Sequence, residues 1–207
     1  MIKKLELWLL LIAMVAVLLW SWFNPYDRLT WWMEALPVLI GIVVLVATRA
    51  GFPLTRLLYY LLFIYGVILV VGAHYSYARV PLGFWLQELL DFQRNPYDRL
   101  GHLAQGFIPA ILAREILIRN AVVKSVGWLF FLVMCICLAF SALYELIEWW
   151  AAVIGGDGSV EFLGTQGDVW DAQWDMLHAL IGALAAQLLL SGVLQRQINS
   201  SPWSSVR

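Results

Sequence analysis

Long runs of apolar residues follow one another along the chain, separated by shorter polar stretches. A helix needs roughly 20 mainly apolar residues to cross the hydrocarbon core of a membrane, and six runs approach that length. The runs are continuously apolar rather than alternating, which favours helices over the strands of a β-barrel. The pattern predicts an all-α bundle of about six transmembrane helices in a single domain, residues 1–207. The predicted helices are Leu7–Phe23, Trp31–Thr48, Leu57–Arg79, Leu103–Ile118, Val126–Trp150 and Trp174–Leu194, and 151–170 is predicted as an outer loop.

Composition supports a membrane environment for these helices. The chain is 62% hydrophobic and only 13% charged, whereas a soluble domain is usually about half apolar and about a quarter charged. The excess apolar surface is expected to face membrane lipids. The net charge of −1 gives no reason to expect a nucleic-acid partner.

The distribution of Lys and Arg predicts the orientation. With the N-terminus placed inside, nine of these residues fall on the cytoplasmic side and four fall outside. Because positive loops stay in the cytoplasm, we expect a multi-pass protein of the bacterial inner membrane with both termini cytoplasmic. The acidic residues show the opposite bias, with twelve on the outer side and two on the inner side. Acidic residues contribute little to orientation, so this bias suggests a function.

Ionisable residues recur at helical spacing in the outer third of four predicted helices. A rise of about 1.5 Å per residue places them at similar depth, and spacings of three or four residues place those of one helix on one face. The set consists of His74; Asp98 and His102; Glu145 and Glu148; and Asp171, Asp175 and His178.

This polar layer predicts a metal site. Carboxylates and imidazoles that project inward from facing helices are how helical bundles bind metals. Several carboxylates in a partly buried layer require protons or a cation to compensate their charge. We expect the histidines and aspartates of the set to bind a divalent ion, Zn, Mn or Fe for mixed ligands and Mg or Ca for carboxylates alone. One of the two glutamates would act as general base. The alternative to a metal site is that these ionisable residues lie at solvated helix ends and form ion pairs with Arg79, Arg94 or Arg99.

An internal repeat precedes two of the helices. The sequence Asn-Pro-Tyr-Asp-Arg-Leu occurs at 24–29 and again at 95–100, each time before a helix that runs from outside to inside. This indicates two helical hairpins of the same topology. His102 stands four residues after Asp98, whereas Trp31 stands four residues after Asp27. For the first copy we favour a simple helix cap.

Three segments, Asn95–His102, Tyr144–Trp149 and Phe162–Met176, resemble the YjdF family of bacterial inner-membrane proteins. The resemblance spans almost the whole chain, and its Gly-Thr-Gln-Gly-Asp-x-Trp-Asp stretch is specific. It implies a location and a topology, and it implies no reaction.

A fainter likeness exists to VanZ-like membrane proteins. These combine an Asp-x-x-x-His segment with a later Glu and a final helix that carries Asp. Here Asp98 with His102, Glu145 and Asp175 would match, while the Asn of that family's last helix is replaced by His178 or absent.

Three functions remain open from the residues. The first is a metal-assisted hydrolase or transferase of a lipid or head group at the outer leaflet, because a bound ion can activate water or polarise a phosphoryl oxygen. The second is a small-molecule or ion-coupled transporter, which the hairpin repeat favours and the scarcity of ionisable groups in the inner helix halves disfavours. The third is a non-catalytic membrane partner protein, in which the polar layer holds the bundle together or docks another protein.

Overall fold

A computed structural model describes residues 2–155 and 165–201, and all regular structure within these ranges is helical. This confirms the predicted all-α class. The described helices are α1 (Lys4–Trp22), α2 (Arg28–Thr48), α3 (Arg56–Tyr75), α4 (Pro81–Leu90), α5 (Tyr97–Arg119), α6 (Val126–Gly155) and α7 (Asp171–Asn199), with one 3-10 turn at Tyr77–Arg79.

Five of these helices, α1, α2, α3, α6 and α7, are long and apolar enough to cross a membrane. Helix α5 has 23 residues, enough for about 34 Å, but it carries five charged residues. Thirteen of its residues are buried, so its polar side chains face neighbouring helices rather than lipid. Such enclosure is what permits ionisable groups in a membrane helix.

Successive long helices run in opposite directions. The loop between α1 and α2 meets the end of α3, where the Tyr26 amide donates to the His74 carbonyl over 2.9 Å. We call this end, where α2, α5 and α7 begin, the polar end. At the opposite end the start of α3 meets the end of α5 through Thr55 and Glu115.

Helix α4 was not predicted, because ten residues are too few to cross a membrane. Pro81 stands at its first turn, where a missing amide costs nothing, and Asp91 ends it in the left-handed conformation at φ 54. Its Phe84 and Trp85 side chains are exposed, which is typical of a helix that lies along a membrane interface.

Helix α6 runs to Gly155, five residues past its predicted end. Residues 156–164 of the predicted outer loop lie outside the described residues.

Helices α5 and α7 form the most extensive helix–helix interface, and two glycines allow it. A Cβ on Gly106 would lie 1.8 Å from the carbonyl oxygen of Ala179, and one on Gly182 would lie 2.1 Å from that of Leu103. Small residues at such points let membrane helices approach backbone to backbone. The two helices therefore hold a fixed distance and register.

A buried ionic network closes the opposite end. The Glu115 carboxylate, fully buried, accepts hydrogen bonds from the Thr55 hydroxyl over 2.7 Å and from the Arg119 guanidinium over 2.8 Å. The Thr55 amide also donates to it, over 3.0 Å. A buried carboxylate needs this degree of hydrogen bonding, so the network fixes the start of α3 against the end of α5.

We expect Gly182→Ala to destabilise the protein by about 1–3 kcal/mol, the usual cost of overpacking, because the new methyl group would overlap the Leu103 carbonyl. Thermal unfolding of the detergent-purified protein measures this. Gly192→Ala is the matched control on the same helix, since nothing lies within 4 Å of its added Cβ. Alanine is the better helix former, so the control should hold or gain stability. Equal unfolding temperatures for the two variants would contradict the close approach.

Candidate functional site

The packing of α5 on α7 brings together three of the predicted metal ligands. Asp98, His102 and Asp175 each offer one ligand atom, and these atoms all lie within 4.8 Å of one another. All three residues are buried, with relative exposures of 7%, 6% and 2%. They form the only such group of three or more metal-binding side chains among the residues that the structure describes.

The imidazole of His102 is held in place by its own helix. Its Nδ1 lies 2.9 Å from Gln105 Oε1, so Nδ1 can donate its proton to the amide oxygen. That tautomer leaves a lone pair on Nε2, which lies 3.7 Å from Asp98 Oδ1. An outer hydrogen bond of this kind is how proteins orient metal-binding histidines.

Helix α6 contributes Glu145 to the same cluster. Its Oε1 lies 3.7 Å from His102 Nδ1. This oxygen and Asp175 Oδ1 are both buried without a hydrogen-bond partner. Leaving a buried acceptor unsatisfied costs about 1–3 kcal/mol and more for a charged group. Both oxygens therefore need a proton or a cation as a partner.

Asp171 is placed in an ion-pair network beside the cluster, apart from the three grouped ligands. Its carboxylate pairs with Arg94, whose guanidinium also lies 3.7 Å from Asp98 and 3.6 Å from Asp168. Arg99 pairs with Asp168 over 3.1 Å. Arginine side chains, the alternative to a metal ion, therefore neutralise the carboxylates at the rim of the cluster. Among the described residues, no arginine forms an ion pair with Asp175.

Residues 165–166, in the segment before α7, form hydrogen bonds with residues 94–95, just before α5. The Asn95 amide donates to Gln166 Oε1 over 3.1 Å, and Gln166 Nε2 donates to the Asn95 carbonyl over 3.0 Å. Arg94 donates to the Thr165 carbonyl over 3.1 Å. These bonds tie two of the motifs singled out from the sequence to each other and fix where α7 begins.

The structure does not bring His74 and His178 to this cluster. The His74 ring packs on Trp20 at 4.4 Å, and its Nδ1 lies 3.1 Å from the Ser21 carbonyl oxygen, so it faces α1. The Nδ1 of His178 lies 2.6 Å from the Trp174 carbonyl oxygen of its own helix, which keeps the ring on the surface of α7. Both rings therefore point away from the three grouped ligands.

A second group of polar side chains lies around a cavity that His102 also lines. Tyr144 on α6 donates to Glu34 Oε2 on α2 over 3.1 Å. Glu34 is 3% exposed, and sequence reasoning missed it because no ionisable partner stands three or four residues away on its helix. Glu148, the second predicted glutamate, and Glu34 both line a cavity of about 20 Å³ that also touches Asp98 and His102.

The two copies of the repeat have different roles. Asp27 caps α2 by accepting from the Thr30 amide over 2.7 Å, as favoured from the sequence. Asp98 lies within the first turn of α5 instead and belongs to the buried cluster. Trp31, in the place of His102, donates to Ser21 Oγ over 3.1 Å.

An all-helical bundle with five candidate membrane spans and ionisable groups enclosed among its helices defines an integral membrane protein. The chain belongs to the family described as "Predicted membrane protein (DUF2238)", whose model matches residues 6–196. It is 50% identical over 187 residues to the inner membrane protein YjdF of Escherichia coli (strain K12), with 90% of each chain covered. The predicted resemblance to the YjdF family is thereby confirmed. No solved structure matches the chain.

We expect Arg94→Met to cost about 3–5 kcal/mol, as breaking a buried ion pair does, because it leaves Asp171 without its guanidinium. Chemical or thermal unfolding measures the loss. Arg99→Met is the comparison: Arg99 is 29% exposed, and pairs of that kind contribute about 0–1 kcal/mol. Adding Asp171→Asn to Arg94→Met should recover part of the loss, since the two sites are coupled. Strictly additive losses would contradict the network.

Proposed function

We propose that Asp98, His102 and Asp175 bind a divalent metal ion, and that the protein uses it to hydrolyse or transfer a lipid or a lipid head group. The observation that carries this proposal is the convergence of three ligand atoms within 4.8 Å. Zn–N and Zn–O bonds of about 2.0–2.2 Å would set such atoms roughly 3.3–3.6 Å apart. Small side-chain rotations achieve that change.

The donor set favours Zn, Mn or Fe over Mg or Ca, because it mixes one imidazole with two carboxylates. A site with three protein ligands leaves a position for water or substrate, which is the arrangement of catalytic rather than structural ions. The unpartnered oxygen of Asp175, one of the three ligands, supports an ion at this place.

Glu145 is the residue we assign as general base. Its Oε1 is free of hydrogen bonds and lies 3.7 Å from the imidazole of His102. A carboxylate at that place is suited to take a proton from a water molecule that attacks the substrate. We further propose that the polar end faces outward from a bacterial inner membrane, with both termini cytoplasmic, so that the substrate is a lipid of the outer leaflet.

Transport is the second candidate, and one observation favours it. Arg114, buried at 9% exposure, donates to Gln187 Oε1 over 3.2 Å in the half of the bundle away from the metal ligands. Buried ionisable groups there are what an ion or proton path past the midplane requires. Flux in proteoliposomes with and without an ion gradient would separate transport from catalysis.

Elemental analysis tests the metal site. Protein purified without chelators should hold about one ion per chain, and His102→Ala should lose it because one of three ligands is gone. His178→Ala is the control, since that ring binds its own helix backbone. Stoichiometric metal in the His102→Ala protein, or none in the parent protein after metal loading, would refute the site.

Glu145→Gln tests the reaction. The variant should retain its metal and lose about 10²–10⁴-fold in turnover, the usual contribution of a general base. Turnover is followed as head-group release from a mixed phospholipid bilayer. Full turnover in this variant would remove Glu145 from the mechanism.

A further inference from the structure

The cavity beside the metal ligands is lined by residues of α2, α3, α5 and α6. Helix α2 packs on α3, α3 packs on α5, and α6 packs on α5 and α7. Helices α2 and α6 lack an extensive interface of their own among the described residues. They therefore form the two walls of a groove whose floor is α3 and α5, and the hydrogen bond from Tyr144 to Glu34 spans it.

The lining of the cavity is acidic and aromatic. Its volume of about 20 Å³ suits one water molecule or a group of similar size. Carboxylates come from three helices, and no Lys or Arg is among the lining residues. The lining includes Glu34, Asp98, Glu148, Tyr65, Tyr77 and Tyr144.

Glu148 indicates that the cavity takes a ligand. It is nine-tenths buried and lines the cavity, yet none of the hydrogen bonds or ion pairs among the described residues uses its carboxylate. Glu34 accepts from Tyr144. Arg94 pairs with Asp98, Asp168 and Asp171, and Arg99 pairs with Asp168, so no ion pair among the described residues reaches Glu148. A buried carboxylate needs a cation or a proton, and the cavity offers space for a small cation next to Glu148.

We propose that this cavity binds the primary ammonium group of an amine-bearing phospholipid, whose head group enters through the groove between α2 and α6. The proposal rests on the proposed function, because it makes that lipid the substrate of the metal site. An ammonium group has the size of a water molecule and donates three hydrogen bonds, which matches carboxylate and phenol oxygens. Tyrosine rings add cation–π attraction.

The position of the cavity fits such a substrate. Asp98 and His102 line it and also belong to the metal group. In an ethanolamine head group only two carbons and an ester oxygen separate the nitrogen from the phosphorus. An ammonium group in the cavity would thus hold the phosphate next to the metal ligands. A trimethylammonium group is too large for the cavity and donates no hydrogen bond, and a glycerol head group has no positive charge.

Competitive lipid binding tests this assignment. The detergent-solubilised full chain is mixed with equal amounts of phosphatidylethanolamine, phosphatidylcholine and phosphatidylglycerol of identical acyl chains, and bound lipid is counted by native mass spectrometry. We expect about tenfold preference for phosphatidylethanolamine, equivalent to about 1.4 kcal/mol. Glu34→Gln and Glu148→Gln, which keep side-chain volume, should each reduce the preference to below about threefold.

Glu88→Gln is the matched control, because it removes the same charge from an exposed position on α4 and should leave the preference unchanged. Equal binding of the three lipids, or a full preference in both cavity variants, would overturn the proposal. Metal content is measured on the same samples. Selective binding without metal would support the ammonium site and refute the metal site, while metal without head-group selectivity would refute the ammonium site alone.

Discussion

The backbone contact between α5 and α7 is the interaction on which the candidate site depends. A membrane offers little hydrophobic drive for helices to associate, so close packing and polar contacts must hold them together. Gly106 and Gly182 supply the close packing, since each faces a carbonyl oxygen of the other helix. His102 lies about one turn from Gly106, and Asp175 lies two turns from Gly182. The register that the glycines set therefore also sets which ionisable groups meet.

The sequence was sufficient to predict the all-α class and the long apolar helices, because apolar length and spacing belong to single helices. Which side chains meet depends on the rotation of each helix against its neighbours, and spacing carries no information about that. His74 and His178 were predicted as ligands from spacing, but they face α1 and the surface of α7. Asp171 shares a face with Asp175 but lies one turn nearer the helix start, where Arg94 meets it.

The repeat shows how similar segments acquired different roles through their surroundings. Both copies begin a helix, yet Tyr26 is exposed beneath the Arg79 guanidinium, whereas Tyr97 is buried and donates to the Ile68 carbonyl. Helix α2 lies at the edge of the bundle and α5 at its centre. Glu34 and Gln105 each stand ten residues after the Asn of their copy, and both line the same cavity. The helix that follows each copy thus contributes one residue to the same cavity.

The hydrogen bond from Arg114 on α5 to Gln187 on α7 has a consequence for how the chain is synthesised. Helix α5 emerges from the ribosome long before α7, and until α7 is made the Arg114 guanidinium lacks the Gln187 side chain to which it donates. A charge near the bilayer centre costs about 2.5–3.5 kcal/mol on insertion scales, and this partner is made almost last. The final packing of α5 therefore awaits α7, so the order of translation differs from the order of assembly.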